Sequence, residues 1–88
     1  MSAVLPVDIA ETLRDALLNG DAEKATEATR AALSGGADPL ALIQEVIVPA
    51  LTEVGRRFEA LEIFLPELIE AGAIGRAVSD LIEAELSK

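Results

Sequence analysis

Apolar residues along this chain recur at helical spacing. Ile9, Leu13 and Leu17 fall every fourth position and form one stripe. Asp8 and Glu11 stand at capping-box spacing beside Pro6, so a first helix is expected from about residue 7. Asn19-Gly20 ends it, because glycine readily takes the left-handed conformation that a helix stop requires. Asp21 is a suitable N-cap for a second helix, with Glu23 favourably placed in its first turn. That helix runs through Ala22, Ala25, Ala28, Ala32 and Leu33 to Gly35-Gly36; so rich in alanine, it packs closely but buries little area.

Asp38-Pro39 opens a third helix, a capping carboxylate followed by proline at the first helical position. Ile43, Ile47, Leu51, Val54 and Phe58 continue it as a nearly unbroken stripe. Pro49 lies within that stripe and removes a backbone donor, which predicts a kink there. Pro66 opens a fourth helix, with Glu67 in its first turn and Leu68 or Ile69, Gly72, Val78 and Leu81-Ile82 along its apolar side. The predicted helices span about 7–19, 22–34, 39–60 and 66–86. Their short connections imply an all-α, compact, antiparallel four-helix bundle that occupies 1–88 as a single domain. Its radius of gyration should be roughly 12 Å.

Composition narrows the chemistry. Half of the residues are apolar but only Phe58 and Phe64 are aromatic, so the core is built from Leu, Ile, Val and Ala. The chain has neither cysteine nor histidine, which removes disulfides, thiolate metal sites and the commonest neutral-pH general base. A net charge of -9 argues against nucleic acid as a partner. The longest apolar run, around Val46 to Leu51, is too short to span a bilayer, and no basic leader opens the chain. A cytoplasmic protein without membrane or metal is expected.

Both aromatic residues fall between Val54 and Leu68, at the junction of the third and fourth helices. Phe58, Phe64 and Leu65 would form an apolar end, rimmed by Arg56, Arg57, Glu59, Glu62 and Glu67, that could dock a partner. The plainer reading has Phe58 finishing the core stripe and Phe64 stapling Pro66. Mid-helix Gly55, Gly72 and Gly75 need a reason, and close packing of a neighbouring helix is the favoured one. At Gly55 the alternative is clearance for a bulky flat ligand. Glu59, Glu62, Glu67 and Glu70 could form an acid–base pair only if burial separated their pKa values, and a solvated face is the expectation.

A more specific signal lies in Gly20-Asp21, Gly36-Ala37-Asp38-Pro39, Val48-Pro49-Ala50-Leu51, Val54-Gly55, Phe58 and Ile63-Phe64-Leu65-Pro66. Together these residues resemble the helical cap of corrinoid (cobalamin-binding) proteins of methyl-transfer metabolism. The resemblance covers about residues 9 to 85. It implies a four-helix lid over the upper face of a corrin ring, with Phe58 and Leu65 covering the upper ligand and Val54 and Phe64 supporting them. Two departures stand out. Leu61 occupies a position where the family usually has glycine, so the turn there is expected to be tighter or more helical, or Leu61 to fill ligand space. The Asp-x-His-x-x-Gly motif of the Rossmann-like corrinoid domain is absent.

The resemblance implies a non-catalytic cap that would meet cobalamin only together with a partner, a Rossmann-like corrinoid-binding domain or a methyltransferase subunit. No cofactor is expected for the isolated chain. The alternative is a helical interaction module without cobalamin, in which a second copy of the chain covers the apolar end as a homodimer.

Overall fold

Capping and turn chemistry set where each helix begins and ends in the computed structural model, which describes residues 7–88. Pro6, expected at the head of the first helix, lies outside these residues. Helix α1 spans Val7–Asn19 and α2 Ala22–Ser34. A continuous helical stretch follows, made of α3 (Pro39–Leu42), a π-helical turn (Ile43–Ile47) and α4 (Val48–Glu59). Helix α5 (Leu65–Leu86) closes the bundle. These elements match the four predicted helices to within one residue at each end.

Asp8 sits inside the first turn of α1 rather than ahead of it. Asp21 caps α2 by accepting the Lys24 N–H at 3.1 Å, and Asp38 caps α3 by accepting the Leu40 N–H at 3.2 Å. Gly20 and Gly36 both adopt positive φ, at 72° and 87°, where α1 and α2 stop. Each is followed by a backbone N–H that reaches back five residues, Asp21 to the Ala16 carbonyl and Ala37 to the Ala32 carbonyl.

The distortion expected near Pro49 takes the form of the π-helical turn. Val48 N–H donates to the Ile43 carbonyl, five residues back. In an α-helix the Pro49 ring would meet the Glu45 carbonyl and leave it without a donor. One wider turn just ahead of the proline relieves that conflict without breaking the helix.

Helix α1 pairs with α2, and α5 packs on both α2 and α4. Leu13, Leu17, Leu42, Val78 and Ile82 are fully enclosed at the centre. Ala25, Ala28 and Ala32 present the small-residue face of α2 to them. Thr29, also fully buried, donates its hydroxyl to the Ala25 carbonyl at 2.8 Å, so no polar group is left unpaired there. On α5 the core face is Ala71, Ile74, Gly75, Val78 and Ile82. Ile69 and Gly72 lie outside it, contrary to the sequence reading, while Leu68 and Leu81 are half-buried. The radius of gyration is 12.7 Å and the molecule measures 41 × 21 × 17 Å. Among the described residues no helix is long and apolar enough to cross a membrane.

Candidate functional site: the apolar end formed by α4 and α5

Helix α4 ends because the chain turns left-handed at Leu61, with φ of 62°. Leu61 N–H donates to the Phe58 carbonyl at 3.0 Å and Glu62 N–H to the Arg57 carbonyl at 2.8 Å. This is the helix stop ordinarily made with glycine at the left-handed position. Leucine there costs on the order of 1 kcal/mol in backbone strain. The tighter or more helical turn expected from the sequence is not what forms: Leu61 takes the left-handed stop that glycine ordinarily makes, under strain. The Leu61 side chain is 76% exposed.

Three residues separate Leu61 from the start of α5. Glu67 reaches back to accept the Phe64 N–H at 3.0 Å, the half of a capping box that a phenylalanine N-cap can support. Pro66 fits in the first turn because its missing N–H would have had no helical partner. The cap fixes Phe64 and Leu65 at the tip of the helix, 65% and 55% exposed. Ile69, one turn on, is 62% exposed. Phe58, in the last turn of α4, is half-buried. It is neither a sealed core residue nor a free one. Val54 is only 2% exposed and belongs to the interior. Of the four residues singled out in the sequence, the adjacent Phe64 and Leu65 thus lie on the surface, Phe58 is half-buried in the last turn of α4, and Val54 is buried.

Val54 also floors a cleft of about 240 Å³ on the side facing the end of α1, where Gly20, Arg57, Ile63, Glu67 and Glu70 contribute walls. The Glu70 carboxylate lies where a Gly20 side chain would begin. Glu59, Glu62, Glu67 and Glu70 are all exposed, in keeping with a solvated face rather than an acid–base pair. Among the described residues no group of three His, Cys, Asp or Glu side chains could hold a metal ion.

Sequence reasoning passed over Glu53, which organises the charges beside the apolar end. It accepts from Arg56 at 2.8 Å and from Arg57 at 3.0 Å, and Arg56 also reaches Glu62 at 3.3 Å. Hydrogen bonding from Arg56, then from Arg57, holds the Glu53 carboxyl well below its ordinary value, at about 2. Hydrogen bonding to Glu53, then to Glu62, raises the Arg56 guanidinium in turn. Spacings of three and four residues on one helix were the available signal, since they put acid and base side by side. Arg56 ties α4 to the turn through Glu62.

The three mid-helix glycines differ in kind. A Cβ on Gly75 would stand 3.0 Å from Leu51 Cδ1, so close packing of α4 explains that glycine. A Cβ on Gly55 or Gly72 would meet nothing within 4 Å. The packing explanation favoured for them in the sequence fails, because no neighbour approaches.

Residues 9–83 match the family described as B12 binding domain. The chain is similar to trimethylamine corrinoid protein 1 of Methanosarcina mazei, with 33% identity over 92% of this chain and 38% of that protein. It is similar to monomethylamine corrinoid protein 2 of Methanosarcina barkeri, also at 33%, over 92% of this chain and 37% of that one. Among solved structures, the monomethylamine corrinoid protein of Methanosarcina barkeri superposes with a TM-score of 0.77 at 30% identity, over 86% of this chain and 35% of that one. The chain thus spans less than two-fifths of the length of these relatives.

Proposed function

The chain belongs to the B12 binding domain family, and from that premise we propose that it is the lid of a corrinoid site in methyl-transfer metabolism. The observation that carries this reading is the uncovered apolar tip of α5, where Phe64 and Leu65 are exposed, with Phe58 half-buried in the last turn of α4. Burial of exposed Phe and Leu side chains against an apolar surface contributes roughly 1.5–3 kcal/mol each, a driving force for closure.

The donor set fits a lid and not a cobalt-ligating domain. With neither histidine nor cysteine, the chain has none of the usual nitrogen or thiolate side chains to offer the metal, and its contribution is apolar cover. A bound corrinoid supplies the cobalt–carbon bond from which a methyl group is passed on. Phe58 and Leu65 would cover the upper face of the bound corrinoid, with Phe64 and the buried Val54 supporting them, and together they would exclude water from it. The fixed start of α5, held by Glu67, keeps Leu65 in place. The partner is a Rossmann-like corrinoid-binding domain, and a methyltransferase is the protein that would receive the exposed face once the lid moves. The chain itself protects and does not catalyse.

The test is to splice this chain in place of the matching segment of the Methanosarcina barkeri monomethylamine corrinoid protein, load methylcobalamin and follow photolysis by the visible spectrum. Phe58→Ala and Leu65→Ala should each change the photolysis rate several-fold, while the unattached chain should show negligible affinity for methylcobalamin. Equal rates for all three chimeras would remove the lid role.

The exposure of Leu61, Phe64, Leu65 and Ile69 also favours a second reading, a self-association module that buries this end in a homodimer. Sedimentation separates the two. A stable dimer dispersed by Leu65→Asp, with no corrinoid partner found, would support the second.

A further inference from the structure

Gly55, three residues before Phe58 on α4, is a glycine that nothing within the chain explains. Its backbone is ordinary right-handed helix, so conformation does not demand glycine. It is half-buried, yet a side chain there would meet no neighbour within 4 Å, so packing does not demand glycine either. Alanine would suit the middle of a helix better. Gly75 shows the contrast: it too is helical, but Leu51 presses against it.

The position of the open space is informative. Leu51, Gly55 and Phe58 stand at i, i+4 and i+7 on α4 and are all half-buried, on the margin between core and solvent. Helices α4 and α5 run antiparallel, and the approach of Leu51 to Gly75 sets their register. One turn on, Gly55 comes level with Ala71; one further, Phe58 comes level with Leu68. Gly55 therefore lies one helical turn behind Phe58 on the margin that leads to the uncovered Phe64 and Leu65.

We propose that Gly55 is a seating position: its missing side chain lets α4 lie flat against the rim of the planar ring that Phe58 covers. This rests on the lid reading given above. Phe58 alone would not cover a planar macrocycle, and a side chain one turn away would meet the ring's edge first and lift the lid. The space is empty within the chain because it is filled on closure. Gly55 is thus a positioning residue, acting through the fit of Phe58 and Leu65.

The experiment compares Gly55→Ala and Gly55→Leu with Phe58→Ala, in the isolated chain and in the chimera loaded with methylcobalamin. In the isolated chain, Gly55→Ala should raise the melting temperature by about 4–8 °C, the shift expected when a helix-interior glycine is relieved in a domain of this size. In the chimera, photolysis should depart from wild type in the order Leu, then Ala, with Gly55→Leu matching Phe58→Ala several-fold away. Stabilisation with loss of cover is a combination that a purely structural glycine cannot give. If Phe58→Ala alters photolysis but both Gly55 variants match wild type, the seating role is wrong and the lid stands. If Phe58→Ala changes nothing, the lid reading itself fails. Should Gly55→Leu lower the melting temperature, space within the chain was needed after all, and the proposal is overturned whatever photolysis reads.

Discussion

The turn after α2 and the turn after α4 use the same hydrogen bonds and different residues. At the first, Gly36 takes φ of 87° and Ala37 N–H reaches the Ala32 carbonyl. At the second, Leu61 takes φ of 62° and Glu62 N–H reaches the Arg57 carbonyl. Glycine at the first is what backbone sterics favour. Leucine at the second is disfavoured twice, by its left-handed backbone and by a large apolar side chain left in water. Neither cost is repaid inside the chain. The lesson is that the α2–α3 turn is built for stability, whereas the α4–α5 turn bears a cost that the proposed lid role would offset when a partner covers it. Leu61 does not fill space within the bundle. It is exposed, as Phe64, Leu65 and Ile69 are.

Exchanging the residues between the two turns tests this contrast, and the larger effect should come from Gly36→Leu. Nothing lies within 4 Å of a Cβ at Gly36, so the measured loss chiefly reports backbone conformation, lessened by the freedom that leucine removes from the unfolded chain. Urea unfolding should show a loss of about 1–2 kcal/mol. A loss near zero would mean that the chain tolerates leucine in the left-handed region generally, and the α4–α5 turn would cease to be exceptional. The reverse exchange, Leu61→Gly, should stabilise by about 0.5 kcal/mol, because relief of strain is partly offset by the greater freedom glycine gives the unfolded chain. In the chimera, the same substitution should weaken cover of the corrinoid if Leu61 belongs to the docking face. Stabilisation without any loss of cover would confine Leu61 to an unfavourable turn and nothing more.

Much of this was legible in the sequence because local rules and the fold agree. Asp21, Asp38, Gly20 and Gly36 announce their caps and stops by residue type alone, and a single proline at 49 was enough to expect a distorted third helix. Two kinds of feature were not legible. One is which margin of a helix a residue joins: Ile69 and Leu68 are adjacent and equally apolar, and only the register of α5 against α4 exposes the first and half-buries the second. The other is absence of contact. Gly55, Gly72 and Gly75 read alike in sequence, and only coordinates separate the glycine that Leu51 presses upon from the two that face open space. The candidate site shows the same division. Of the two residues expected at an accessible rim, Leu65 is exposed and Phe58 half-buried; of the two expected to support them, Phe64 is exposed and Val54 buried.

The smallest expected effect concerns what holds the strained turn in place. Arg56 joins Glu53 on α4 to Glu62 in the turn, whereas among the described residues no ion pair spans the Gly36 turn. Exposed pairs of this kind contribute little individually, so the clamp should show in pH dependence more clearly than in overall stability. Glu53 has a folded pKa of about 2 against an ordinary 4.5, with Arg56 the larger cause. Because the folded value is the lower one, the unfolded chain binds the proton first as pH falls. The contribution is therefore complete above about 4.5 and is lost as pH drops through about 2. Urea midpoints measured from pH 6 to pH 2 should fall less steeply in Glu53→Gln than in wild type across that window. Leu61→Gly should lessen the difference between them, since a turn without strain has less need of being held. Parallel slopes in all three proteins would show that Arg56 merely accompanies the turn, and that the left-handed leucine is maintained by the backbone hydrogen bonds to Phe58 and Arg57 alone.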